Sequence, residues 1–208
     1  MKLYVAPPSP RAFKVIALAN HLGLSYELKP VNLAQGDQMR PEFIAMNPNH
    51  RMPVLDDDGF ILWESNAIMQ YLASKKPESG LLPTDARGRA EVNRWQFWEV
   101  SHWDPACTPL IWEHTVKKLF GQGDADPAVV AKAEENFRFF AGVLNGTLRG
   151  RKFVTGNQLT VADFSIGAWL ICTRIGQYPI GDYKEILRWH ATLEELPAWK
   201  SSITPLPV

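Results

Sequence analysis

The segment from Asn47 to Tyr71, NPNHRMPVLDDDGFILWESNAIMQY, constrains the chain more than any other. Two short apolar runs, Met52 to Leu55 and Phe60 to Trp63, flank Asp56-Asp57-Asp58-Gly59. The pattern predicts a hairpin whose glycine takes the left-handed turn conformation. A periodic helix follows at once over Asn66 to Lys75, with Ala67, Ile68, Tyr71 and Leu72 on one face and Ser65 in the N-cap position. The start of a helix carries free N–H groups and partial positive charge, so it receives a carboxylate. Glu64 beside it offers the complementary group for an ammonium, and together they suit the zwitterionic end of an amino acid. The alternative is that Ser and Glu are only helix punctuation. Pro53 cannot donate to a ladder, so either its strand is an edge or the Met52-Pro53 bond is cis. Both geometries leave the backbone of Met52 open to an extended peptide.

Ahead of that segment, Leu3 to Ala6 is a short strand running into Pro7-Pro8, and Ser9 caps a helix that opens on Pro10 and runs to Gly23. Tyr26 to Leu33 contains Pro30 and predicts an edge or interrupted strand. Pro41 opens a short helix that ends at Asn47-Pro48. The order β-α-β-α-β-β-α describes one mixed-sheet unit. Right-handed crossovers would bring the loop after the first strand beside the hairpin, so that Ser9 and Ser65 share one sheet edge.

After the polar, turn-rich stretch Lys75-Lys76-Pro77-Glu78-Ser79-Gly80 the period becomes helical throughout. The expected domains are 1–76, a linker at 77–84, and an all-helical domain at 85–208. Its helices are expected at Arg87 to Trp103, Thr108 to Phe120, Pro127 to Arg149, Thr160 to Ile175 and Tyr183 to Leu196. Thr160 with Asp163 forms an acidic capping-box variant, and Leu159 with Phe164 a hydrophobic staple, which makes Asp163 a folding residue.

The balance of 22 basic against 22 acidic residues gives no electrostatic reason to expect nucleic acid or an anionic membrane as partner. The N-terminus has no apolar stretch long enough for a signal peptide and no run is long enough to span a bilayer, so a cytoplasmic protein is expected. The 2 cysteines, Cys107 and Cys172, have neither metal-ligand nor CxxC spacing and read as small buried hydrophobes; no metal is expected. The 8 tryptophans include a cluster from Trp95 to Trp112 that needs a core, a pocket or an interface.

Taken together, Pro53 after its loop, the ESNAI helix start, the proline-containing linker and TVADFS downstream resemble a cytosolic glutathione S-transferase over essentially the whole chain. The hairpin segment is similar to the serine-type delta and theta classes, and GDQMRPEF with NPNHR is also similar to the bacterial nu-type enzymes. The resemblance implies an α/β thioredoxin-like domain that binds glutathione, an all-α domain that supplies the pocket for a hydrophobic electrophile, and a homodimer. It implies that Glu64 holds the γ-glutamyl ammonium, that Ser65 and Asn66 hold its carboxylate, and that the backbone of Met52 pairs with the cysteinyl unit. His50, Arg51 and Gln38 would meet the glycine carboxylate. Gln38 departs from the histidine usual in delta and theta enzymes.

The resemblance makes Ser9 the catalytic hydroxyl, beside its reading as the cap of the first helix. Tyr4 is the other hydroxyl nearby and its strand position reads as core. A free thiol with pKa about 8.5 is only about 3% ionised at pH 7, and moving it to about 6.5 takes roughly 2.7 kcal/mol of preferential stabilisation of the anion. No cysteine precedes Cys107, so a cysteine-type mechanism is not expected. For the second substrate, Pro8, His102, Trp103 and Trp112 are the candidate pocket residues, against the alternative that the aromatic stripe is core. Transfer to an electrophile, glutathione-dependent peroxide or disulfide reduction, and a non-catalytic interaction module are the three functions this sequence admits.

Overall fold

The structure is a computed structural model that describes residues 1–6 and 9–203. It divides into two compact units, Met1–Leu82 with the segment from Glu195 onward, and Pro83–Glu194.

In the first unit β1 (Lys2–Val5) is central, parallel to β2 (Glu27–Pro30) and antiparallel to β3 (Val54–Asp57), which in turn pairs with β4 (Phe60–Trp63). The sheet order is β2-β1-β3-β4. The proline in β2 therefore sits on an edge, as its missing N–H requires. Leu3, Val5 and Leu55 are fully buried, while their alternates Tyr4 and Val54 pack with Val31, Phe43, Met46, Met52 and Ile61 beneath α2 (Pro41–Met46). Tyr4 is thus a core residue.

The hairpin turns at Asp58 and Gly59, both at positive φ. Asp56 Oδ1 accepts from Gly59 N at 2.8 Å, and Asp57 accepts from the Tyr71 hydroxyl at 2.7 Å and from Lys75. These bonds tie the hairpin to α3 (Ser65–Ser74). Two expectations shift here. β3 begins at Val54 rather than Met52, so Pro53 lies just outside an internal strand, and of the two geometries expected there the cis Met52-Pro53 bond is the one present. Ser65 is the first residue of α3 rather than its cap. Glu64 occupies the cap position at φ 69° with no side-chain capping bond, because the chain must leave β4 through a left-handed residue to enter the helix.

α1 (Pro10–His21) begins at Ser9, whose Oγ accepts from Arg11 N at 3.2 Å. The segment from Glu195 onward also packs on this unit. α10 (Pro197–Ser202) packs on α1, with Phe13 and Trp199 edge to face at 4.7 Å and Asn20 Nδ2 donating to Ser202 Oγ at 2.8 Å. An all-helical domain extending through residue 208 was expected, and this last helix instead belongs with the first unit.

The second unit is helical. A continuous run joins α4 (Ala86–Trp98), a π-helical turn at Glu99–Trp103, α5 (Asp104–Ile111), a second π turn at Trp112–Val116 and α6 (Lys117–Leu119). Two separate helices were expected here. Pro105 and Pro109 are carried within α5, between the two wide turns. α7 (Pro127–Thr147) is capped by Asp126, and α9 (Lys184–Glu194) buries Ile186, Trp189 and Leu193. α8 (Val161–Gly167) is buried along its whole length and tightens into a 3-10 turn at Ala168–Cys172, shorter than the helix expected from Thr160 to Ile175.

Asp163 is fully buried at the start of α8. Its Oδ1 accepts from Val154 N at 2.8 Å and Trp189 Nε1 at 3.0 Å, and its Oδ2 from Thr160 N at 2.9 Å and Thr160 Oγ1 at 3.2 Å. The capping box read from the sequence is present, and the same carboxylate also fastens α9 and the loop at Val154. Burial pushes this carboxyl up to about 6, against the pull of its four donors.

Candidate active site

Five of the candidate residues, Ser9, Arg51, Met52, Glu64 and Ser65, line one cavity of about 420 Å³ in the first unit, a size suited to a small ligand. Ala6, Arg11, Leu33, Asn47 and Pro53 complete its wall. The residues come from the start of α1, the loop before β3 and the start of α3. The topology therefore brings Ser9 and Ser65 together as the crossover argument required.

Each side chain is placed by a local device. Asn47, 2% exposed, donates from Nδ2 to the Arg51 carbonyl at 2.7 Å and accepts from Asn49 N at 3.0 Å, which fixes the loop that delivers Arg51 and Met52. The β1–β3 ladder ends at Val54 opposite Tyr4, short of Met52, so the Met52 backbone lies outside the sheet pairing. Glu64 is held at positive φ, an uncommon conformation for a residue with a side chain. The backbone carbonyl of Glu64 accepts from Ile68 N at 2.9 Å, so the helical ladder begins at this residue.

The Ser9 hydroxyl has a double capacity. As cap it uses an oxygen lone pair to accept from Arg11 N, which leaves its own O–H free to donate. Capping α1 and donating to a ligand in the cavity are therefore compatible, although the sequence had set them as alternatives. Accepting a backbone N–H also polarises the hydroxyl and strengthens it as a donor.

Three further candidates stand away from the cavity wall. Asn66 turns its Oδ1 to Lys14, whose Nζ donates at 2.9 Å. Gln38 lies on a 3-10 turn at Asp37–Met39 with its Oε1 buried and unpartnered, and His50, at φ 56°, likewise buries an unpartnered Nδ1. Arg11, Asn47 and Lys14 were not picked out by sequence reasoning. Arg11 could have been found from its place two residues after the Ser9 cap. Asn47 had been read only as a helix stop.

For the second substrate, Trp103 is corrected to core. It is 0% exposed, stacks on Trp98 at 5.8 Å and donates from Nε1 to the Ile166 carbonyl at 3.3 Å. The π turn at Glu99–Trp103 turns Glu99 inward with it, where Glu99 accepts from Trp169 Nε1 at 2.6 Å and Ser165 Oγ at 3.1 Å. His102 is exposed and stacks on Phe140 at 5.0 Å, and Trp112 is 37% exposed. Pro8 lies outside the described residues. Burial pushes the Cys172 thiol up to about 12 and that of Cys107 well above its ordinary value, so both are packing residues. Among the described residues no group of three or more His, Cys, Asp or Glu could hold a metal, and no helix is long and apolar enough to cross a membrane.

Fold and cavity together define the class of proteins in which a thioredoxin-like unit with a ligand-sized cavity is followed by a helical unit. Family models described as "Glutathione S-transferase, N-terminal domain" and "Glutathione S-transferase, C-terminal domain" match residues 1–74 and 111–194. The chain is 33% identical over 209 residues to Glutathione S-transferase D7 of Drosophila melanogaster, covering 99% of this chain and 90% of the relative. A solved glutathione S-transferase-I bound with lactoylglutathione superposes with a TM-score of 0.87 at 28% identity, covering 97% of each chain. A glutathione transferase family member from Pseudomonas fluorescens with two glutathione bound gives 0.84 at 29% identity, covering 97% of this chain and 91% of that one. The chain belongs to the glutathione S-transferase family and is a transferase.

Proposed function

We propose that the cavity of the first unit binds glutathione, and that Ser9 holds its thiol as the thiolate for attack on a hydrophobic electrophile. The observation that carries this reading is the convergence of Ser9, Arg51, Met52, Glu64 and Ser65 on one cavity. In this reading the γ-glutamyl end meets Glu64 through its ammonium and the first turn of α3 through its carboxylate. The cysteinyl unit lies along the backbone of Met52, which brings sulfur toward the start of α1. The Ser9 O–H donates to that sulfur, and the N–H groups of the first turn add their partial positive charge. Arg51 meets the glycine carboxylate, with His50 and Gln38 in its vicinity as supporting donors. In the transfer step a sulfur lone pair forms the new bond to the electrophilic carbon and the leaving group departs with the electrons of the broken bond. The thiol proton is lost to solvent beforehand.

A second reading, reduction of peroxides or mixed disulfides at the expense of glutathione, draws support from the Pseudomonas fluorescens relative that carries two glutathione. Steady-state assays with a chloro-nitroaromatic, an organic hydroperoxide and a glutathione mixed disulfide separate the two. Turnover of the aromatic is expected, and failure on it with turnover of the disulfide would overturn the transferase reading in favour of the reductase.

Glu64→Gln removes the charge that receives the ammonium, and calorimetry should find glutathione binding weaker by roughly 1.5 to 3 kcal/mol. Unchanged affinity would end the assignment of Glu64.

We further propose a cytoplasmic detoxification enzyme that works as a homodimer. Phe60, Phe97 and Phe139 are 50%, 71% and 66% exposed and offer aromatic surface that a second copy would cover. Light scattering at micromolar concentration should give twice the chain mass, and Phe97→Asp combined with Phe139→Asp should shift it toward the monomer. A parent protein of single-chain mass would refute the dimer.

A further inference from the structure

Asn47 lines the cavity and is buried, and both ends of its side-chain amide are engaged within one short loop. Its Nδ2 donates to the Arg51 carbonyl at 2.7 Å, while its Oδ1 accepts from Asn49 N at 3.0 Å and from Asn49 Nδ2 at 2.9 Å. The Asn47 backbone carbonyl accepts from His50 N at 3.0 Å, which helps to hold His50 at φ 56° between the two anchor points. One residue therefore closes the whole loop from Asn47 to Arg51. The bond to Arg51 also fixes a direction. The Arg51-Met52 peptide bond is trans, Met52-Pro53 being the cis bond among the described residues. In a trans peptide the C=O and N–H point to opposite sides of the chain. With the Arg51 carbonyl held toward Asn47, the Met52 N–H is aimed the other way. The β1–β3 ladder ends at Val54, so the sheet does not use that N–H.

We propose that Asn47 is a positioning residue for the cysteinyl unit of glutathione. By holding the Arg51 carbonyl it turns the other end of the same peptide unit, the Met52 N–H, into the cavity that Met52 lines. There the N–H donates to the backbone carbonyl of the cysteinyl residue. The extended peptide meets a donor whose direction is set before it binds, so no ordering of the loop is charged against affinity. This rests on the reading of the cavity as the glutathione site.

The test uses the full chain. Asn47→Asp is isosteric, keeps an acceptor for Asn49 N and puts an oxygen in place of the Nδ2 that donates to Arg51. Its KM for glutathione should rise about tenfold or more, with a smaller change in kcat at saturating glutathione and an unchanged KM for a chloro-nitroaromatic. Asn49→Ala, which leaves the Arg51 bond in place, should keep a glutathione KM close to that of the parent. A merely structural asparagine would lower the melting temperature and the active fraction, and so kcat, at unchanged glutathione KM. That result overturns the proposal, as does a glutathione KM raised equally by Asn49→Ala. Should Asn47→Asp not fold, the parent decides through NMR hydrogen exchange, in which saturating glutathione should slow the Met52 amide. An unprotected Met52 amide in a parent that binds glutathione by calorimetry overturns the proposal and leaves the cavity assignment intact. A parent that binds no glutathione overturns the cavity assignment itself.

Discussion

Asp163→Ala should cost about 3 to 5 kcal/mol of stability, because it strands several buried donors at roughly 1 to 3 kcal/mol each and leaves a small void. In a chain of this size that corresponds to a melting temperature lower by roughly 6 to 20 °C. The donors are Val154 N, Thr160 N and Trp189 Nε1, which come from a loop, the cap of α8 and α9. One substitution therefore releases three segments, and the loss exceeds that of a single cap. The penalty should also depend on pH. The folded carboxyl titrates near 6, above the ordinary value of 3.8, so the folded state binds a proton more readily than the unfolded state between those values. Its stabilisation is complete below the unfolded pKa and declines as pH rises through about 6. Denaturant titrations should accordingly show a larger Asp163→Ala penalty at pH 5 than at pH 7. A penalty below about 1 kcal/mol would reduce Asp163 to an ordinary cap.

Ser9→Ala should reduce the transfer rate near pH 6.5 by one to two orders of magnitude, roughly as the ionised fraction of bound thiol falls toward that of the free thiol. The thiolate absorbance of the bound complex should titrate at correspondingly higher pH. The variant also loses the acceptor for Arg11 N, so a stability loss of about 1 kcal/mol accompanies the effect. Ser9→Thr separates the two roles, since threonine keeps both the lone pair and the O–H and should retain most of the activity. Normal rate and normal thiol titration in Ser9→Ala would move the role to backbone donors of the first turn of α1. Tyr4 is not a replacement, because its side chain packs in the cluster beneath α2.

The parts of this protein that were legible in its sequence are those decided by neighbours in the chain. The Asp58-Gly59 turn, the Ser9 cap followed by Pro10 and the Thr160–Asp163 box each depend on side chains that bond their own backbone a few residues away. The family resemblance then supplied the roles that local chemistry could not assign. What remained hidden was decided by distant partners. The bond from Lys14 to Asn66 spans 52 positions and that from Asn20 to Ser202 spans 182, and no periodicity encodes either. Trp103 was placed among pocket residues because one wide helical turn changes which side of the helix a side chain occupies. Ser65 was read as a cap since serine favours that place, but the sharp exit from β4 gave the position to Glu64.

The return of α10 to α1 has a consequence for how the protein is made. A ribosome releases the sheet, α1 and α3 before the helical unit, yet Phe13 lacks its Trp199 ring and Asn20 its Ser202 hydroxyl until that unit has been synthesised. The unit that carries Ser9 thus starts to emerge before the helical unit and is completed only after it. Its helix α1 must wait, with part of its apolar face uncovered, through the translation of the entire helical unit.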